Sequence, residues 1–158
     1  MAEVCFNAID DDDNGLLEEG CGVPQGTPQF VLAWDEPSAD VDLWVSDARG
    51  EVARFGSATT TGLTKTNECP HEADTCWGQP RENVVLQEWS EEAVGRYAVR
   101  VRLESLGTAT PPLVVRLGVK THHGVESFSL LLDSVGSEER LSFDVPPPRG
   151  SEPTKKKK

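Results

Sequence analysis

Residues 96–104 read Arg96-Tyr97-Ala98-Val99-Arg100-Val101-Arg102-Leu103-Glu104. Tyr97, Val99, Val101 and Leu103 take every second position, and Arg96, Arg100, Arg102 and Glu104 stand between them. Successive side chains of a strand point to opposite faces, so this period predicts one buried and one wet face. Val41, Leu43 and Val45 repeat the pattern against Asp42, Trp44 and Ser46. Further strand candidates are Phe30 to Trp34, Glu51 to Phe55, Asn83 to Trp89, Leu113 to Lys120, Val125 to Leu132 and Arg140 to Val145. Turn formers separate them: Asp47-Ala48-Arg49-Gly50, Gly95, Gly107 to Pro112, His123-Gly124 and Ser134 to Ser137. Eight short strands with no helical period predict an all-β, antiparallel, jelly-roll-like β-sandwich. Residues 56–82 read as a long polar loop, which in a compact domain needs a staple or a function.

Outside the strands the composition changes. The chain of 158 residues suits one domain with short appendages: an acidic segment at 1–22, a Gly/Pro linker at 23–28, the sandwich at 29–145, and a Pro/Lys tail at 146–158. Its net charge is −12. Glu3, Asp10 to Asp13, Glu18 and Glu19 crowd the first 21 residues, which hold no Lys or Arg, while Lys155 to Lys158 end the tail. The region between stays acidic, which argues against nucleic acid or an anionic membrane as partner. No apolar run approaches the ~20 residues of a membrane span. Four cysteines fall in two local pairs, Cys5/Cys21 and Cys69/Cys76. Such pairing suits an oxidising compartment, so a secreted or cell-envelope location is expected. Met1-Ala2 directly ahead of the acidic segment is expected to be a start that follows a removed export signal. The tail after Pro146-Pro147-Pro148 is expected to be an engineered addition or a truncated linker.

The acidic segment offers oxygen ligands on alternate residues: Asp10, Asp12, Asn14, the Leu16 carbonyl and Glu18, with Glu19 beside them. Calcium takes several oxygens at once, and Gly15 sits where a chain wrapping an ion turns sharply. An EF-hand loop would close on a bidentate Glu where this chain has Cys21, so that loop is excluded. The alternative is a solvated acidic arm. From Cys5 through Asn7, Asp10 to Asp12, Asn14, Gly15, Glu19 and Cys21, the segment resembles the MopE-type metal-binding repeat of secreted myxobacterial proteins. Ala8 replaces a family Gly, Glu18 an Asp, and Asp13 a middle cysteine. The resemblance implies a calcium loop closed by a Cys5–Cys21 bridge.

A second resemblance runs from Trp34 to about Val119. Asp40-Val41-Asp42-Leu43-Trp44-Val45 and Gly95-Arg96-Tyr97-Ala98-Val99-Arg100-Val101, with Cys76-Trp77-Gly78 and Pro80-Arg81-Glu82-Asn83-Val84 between, resemble the YfaP-like and pre-peptidase C-terminal sandwich domains of secreted bacterial proteins. It implies an accessory module. Asp40 and Asp42 share a strand face opposite Val41, Leu43 and Val45, where Asp35, Glu36 and Glu82 are possible companions. That face is a second calcium site or a ligand-contacting edge, or is simply solvent-facing, with Asp40 in a turn hydrogen bond. Cys69 and Cys76 read as a disulfide stapling the long loop, ahead of a zinc site with His71 and Asp74. Trp44, Trp77 and Trp89 read as docking side chains for a glycan or protein, or as partial core. His122-His123 reads as a polar turn. With no hydrolase, metalloprotease or phosphate-loop signature, no catalytic residue is assigned. The expectation is a non-enzymatic, calcium-associated binding or adhesion module of a bacterial envelope protein with a protein or glycan partner; the alternatives are a carbohydrate-binding module and a fragment of a protease or glycosidase.

Overall fold

In the computed structural model, which describes residues 26–34, 36, 38–54, 57–65 and 81–148, the period-two stretch is the longest strand. The strands are β1 (Gln29–Trp34), β2 (Asp40–Ser46), β3 (Thr64–Lys65), β4 (Arg81–Val85), β5 (Gly95–Ser105), β6 (Leu113–Thr121), β7 (Gly124–Leu132) and β8 (Glu138–Val145). All pairings are antiparallel. One sheet runs β3-β4-β1-β6-β7 and the other β2-β5-β8. Two stacked antiparallel sheets make a β-sandwich, as the sequence predicts.

Alternation places the apolar set between the sheets. Tyr97, Val99, Val101 and Leu103 of β5 are buried, as are Val41, Leu43 and Val45 of β2. Facing them are Phe30, Leu32 and Trp34 of β1, with Val115, Leu117 and Val119 of β6. Fully burying one such side chain contributes about 1.5–3 kcal/mol, so this layer dominates the stability. Aromatic rings tie the sheets together: Phe30 stacks on Tyr97 at 5.9 Å, and Phe128 meets Phe143 at 5.5 Å between centroids.

Two turns lock the three-stranded sheet. A 3₁₀ turn at Glu91–Ala93 precedes β5, and the Tyr97 hydroxyl donates back to the Ala93 carbonyl at 2.8 Å. This is the tyrosine-corner arrangement of Greek-key sandwiches. Burial, reinforced by the Asp47 charge, pushes the Tyr97 phenol up to about 12. After β2, Asp47 closes the turn: its Oδ1 accepts from the Arg49 and Glu51 N–H groups and its Oδ2 from the Thr61 hydroxyl. Gly50 supplies the φ of 85° the turn requires.

The strand expectations hold for six elements and shift at two places. Glu51 to Phe55 does not form a strand of its own; its described residues make only the isolated bridges Ser46–Val52 and Arg54–Ser57. β4 begins at Arg81 and ends at Val85, short of Trp89, and a two-residue strand, β3, lies inside the stretch read as loop. Pairing to β1 decides these limits. Gln29 to Ala33 are matched by Val85 to Arg81 in register, and Leu86 bonds to Pro28 and Thr27 just ahead of β1.

Candidate metal centre

β2 is an edge strand of its sheet, and β4 of the opposite sheet passes beside that edge. Glu82 falls in phase with Val84 and Leu86, which places its side chain on the inner face of β4, and it is fully buried. Its Oε1 accepts the Leu43 N–H at 2.9 Å, capping a donor on the free edge of β2. Lys65 Nζ of β3 meets the same oxygen at 2.8 Å, with both side chains almost wholly out of water. An ion pair held there needs both partners, because removing either strands a charge in a low dielectric.

Asp40 and Asp42 bring two more carboxylates to this edge. One ligand oxygen from each of Asp40, Asp42 and Glu82 lies within 4.8 Å of the others. The β2–β5 ladder shifts between Asp40 and Val41, so Asp40 turns inward and is only 7 % exposed, while Asp42 is half-buried. Asp40 Oδ1, Asp42 Oδ1 and Glu82 Oε2 are all shut off from solvent. At this separation two carboxylates repel by about 3 kcal/mol in an effective dielectric of ~20. Lys65 brings a positive charge to this cluster, on the Glu82 carboxylate. Such a group could hold a metal ion. Calcium binds oxygens at about 2.4 Å, so two ligands across one ion stand up to ~4.8 Å apart, which this spacing fits.

Of the residues singled out in the sequence, Asp40 and Asp42 are thus brought together with Glu82, and the solvent-face reading is corrected for Asp40 by its burial. Glu36 lies elsewhere: its carboxylate accepts from the Ser38 N–H and hydroxyl, which hold its carboxyl below the usual range. Asp10, Asp12, Asn14, Leu16, Glu18, Glu19, Cys5, Cys21, Cys69, Cys76, Trp77, His71, Asp74 and Asp35 lie outside the described residues. Trp44 is half-buried on the outer face of β2, with the Arg100 guanidinium 4.1 Å from its ring centroid. Trp89 follows β4 in a turn and meets the His122 ring edge-on at 4.4 Å. Burial there, with the His123 and Lys120 charges, holds His122 below its ordinary value.

Lys65 was hidden in the sequence as a loop residue; its signal is that no other lysine precedes Lys120. Comparison of the chain with protein-family models, with curated proteins and with solved structures finds no match. Among the described residues no helix is long and apolar enough to cross a membrane.

Proposed function

We propose that the chain is a calcium-associated, non-catalytic binding module that works outside the cytoplasm, at a bacterial cell surface or in the secreted fraction. The observation that carries this reading is the Asp40–Asp42–Glu82 cluster at the seam of the two sheets. A cation there takes one oxygen from each of Asp40, Asp42 and Glu82, ligand atoms that lie within 4.8 Å of one another. The remaining ligands of a six- to eight-coordinate ion would be waters or backbone carbonyls. Its role is structural: it neutralises the aspartates, pins the edge of β2 to β4 and stiffens the strand that bears Trp44. The MopE-type loop at 3–22 supports the same chemistry through a second, independent set of carboxylates, and the two cysteine pairs support an oxidising compartment.

Thermal melts in calcium and in EDTA test this reading. Calcium at 2 mM, roughly tenfold over the ~0.2 mM Kd typical of extracellular calcium modules, is expected to add about 1.4 kcal/mol and raise Tm by a few degrees. Asp42→Asn is expected to remove the part of the shift due to the seam, and Asp12→Ala the part due to the N-terminal loop. A Tm indifferent to calcium in the parent protein overturns the proposal.

A further inference from the structure

The outer face of the three-stranded sheet has a second constellation, separate from the carboxylates. Register places Trp44 of β2 opposite Arg100 of β5, and Arg100 opposite Arg140 of β8. These three form one row across the sheet. The next row is Ser46, Ala98 and Ser142, all small. Short side chains beside long ones leave a hollow of about 490 Å³, walled by the Trp44–Arg100–Arg140 row and by Arg54 from the segment after β2.

Two physical points set this hollow apart from ordinary surface. Like charges directly opposite on a sheet destabilise it, and Arg100 faces Arg140. Glu138 offsets part of that repulsion, with its Oε1 3.9 Å from Arg100 Nε and its Oε2 on Arg140 Nε. Arg100 Nε is buried and, among the described residues, has no hydrogen-bond acceptor, so the guanidinium is placed by stacking on Trp44. The second point is that three arginines surround one concavity on a chain of net charge −12. Even with Glu138 shared between Arg100 and Arg140, positive charge is in surplus at this concavity, which favours an anion.

We infer that this hollow binds an acidic saccharide, with Arg54, Arg100 and Arg140 receiving the carboxylate of a uronic-acid residue. Planar guanidinium groups pair with carboxylates through two parallel hydrogen bonds. The hydroxyls of Ser46 and Ser142 line the floor and match sugar hydroxyls, and the indole of Trp44 offers an apolar wall to a ring's C–H face. Its size falls in the ~300–1,000 Å³ range of small-molecule sites. An acidic peptide fits less well, because peptides bind sandwiches by adding to a sheet edge, and this hollow lies mid-face, where main-chain groups are already paired. The inference deepens the binding-module reading and rests on it, but shares no residue with the carboxylate cluster.

Titration calorimetry, with tryptophan fluorescence alongside, tests it using trigalacturonate, uncharged maltotriose, inorganic phosphate and a glutamate decapeptide. Saturable binding is expected for trigalacturonate alone, weakened about tenfold or more in Arg100→Gln/Arg140→Gln, with a melting curve of the variant showing that it is folded. Ala98→Leu, which fills the floor, is expected to abolish binding. Equal binding of maltotriose, phosphate or the decapeptide, no binding of trigalacturonate, or full affinity in the double variant each overturns the inference. Calcium-dependent stabilisation without saccharide binding removes this inference alone. Saccharide binding in a protein indifferent to calcium removes the cation reading alone.

Discussion

The carboxylate of Glu82 accepts the backbone N–H of Leu43 at 2.9 Å, although the two residues belong to different sheets. A side chain from one layer thereby satisfies the exposed edge of the other. Unpaired edge donors invite strands from other molecules, and a buried carboxylate across the edge blocks that addition. The same oxygen holds Lys65, so edge protection, sheet-to-sheet register and the carboxylate cluster converge on one side chain.

Replacing Glu82 by Ala should therefore be among the most damaging single changes, costing about 3–5 kcal/mol by removing the carboxylate that buried Lys65 and the Leu43 N–H share. Lys65→Met should cost a similar amount. The double variant Lys65→Met/Glu82→Gln should be much less destabilised than the sum of the two single changes, because neither charge then remains in the interior. Urea denaturation of the four proteins measures the coupling; additive losses would mean the pair is not a unit.

Tyr97 is the chain's one tyrosine, so its ionisation can be followed directly by ultraviolet absorbance. The fold favours the neutral phenol. The associated stability is present in full below the unfolded value near 10 and is lost as pH rises through about 12. A midpoint near 12 in the folded protein, falling to ~10 in denaturant, is expected. Tyr97→Phe should cost about 1–2 kcal/mol by leaving the Ala93 carbonyl without its donor.

Asp47 behaves in the opposite sense. Burial raises its carboxyl, but hydrogen bonds from Thr61, the Glu51 N–H, Thr59 and the Arg49 N–H outweigh that and hold it below the ordinary 3.8. Its contribution is complete above the unfolded value and disappears as pH falls through the folded one. Asp47→Ala should lower stability by roughly 2–3 kcal/mol at pH 7. The gap between parent and variant should shrink below pH 3.8, and a constant gap down to pH 2 would contradict it.

Gly107 has φ +57°, and a Cβ there would stand 2.4 Å from the Ser38 carbonyl oxygen. Backbone oxygen cannot retreat as a flexible side chain does. Gly107→Ala should cost about 2 kcal/mol, part from the left-handed conformation and part from separating the β1–β2 and β5–β6 connections. A denaturation midpoint equal to that of the parent would contradict the close approach.

Most of the sandwich was legible because alternation is written into β2 and β5 themselves. Val41, Leu43 and Val45, like Tyr97 to Leu103, declare their buried face without knowledge of the neighbours. β3 was not legible: Thr64-Lys65 has no period, and only pairing with Val84 and Val85 makes it a strand. Glu51 to Phe55 shows the reverse, an alternating run that lacks a strand partner along its length. At the site, Asp40 and Asp42 were visible as a pair two apart, and Glu82 as a companion conditional on strand placement. The inward turn of Asp40 depends on a ladder shift, and the Lys65 contact on a chain reversal, neither of which has a local signature. The arginines of β5 read only as a wet face, since their concavity arises from Ser46, Ala98 and Ser142 meeting across three strands.

That row of small residues has an evolutionary consequence. Ser46, Ala98 and Ser142 alternate with Val45, Val99 and Leu141, so the letters that shape the hollow are interleaved with the letters that build the core. Changing the first set alters what fits against Trp44 while the second keeps the sheets together. The hollow can thus be reshaped by point mutation at three positions, while the residues that hold the sheets together lie at other sites of the same strands.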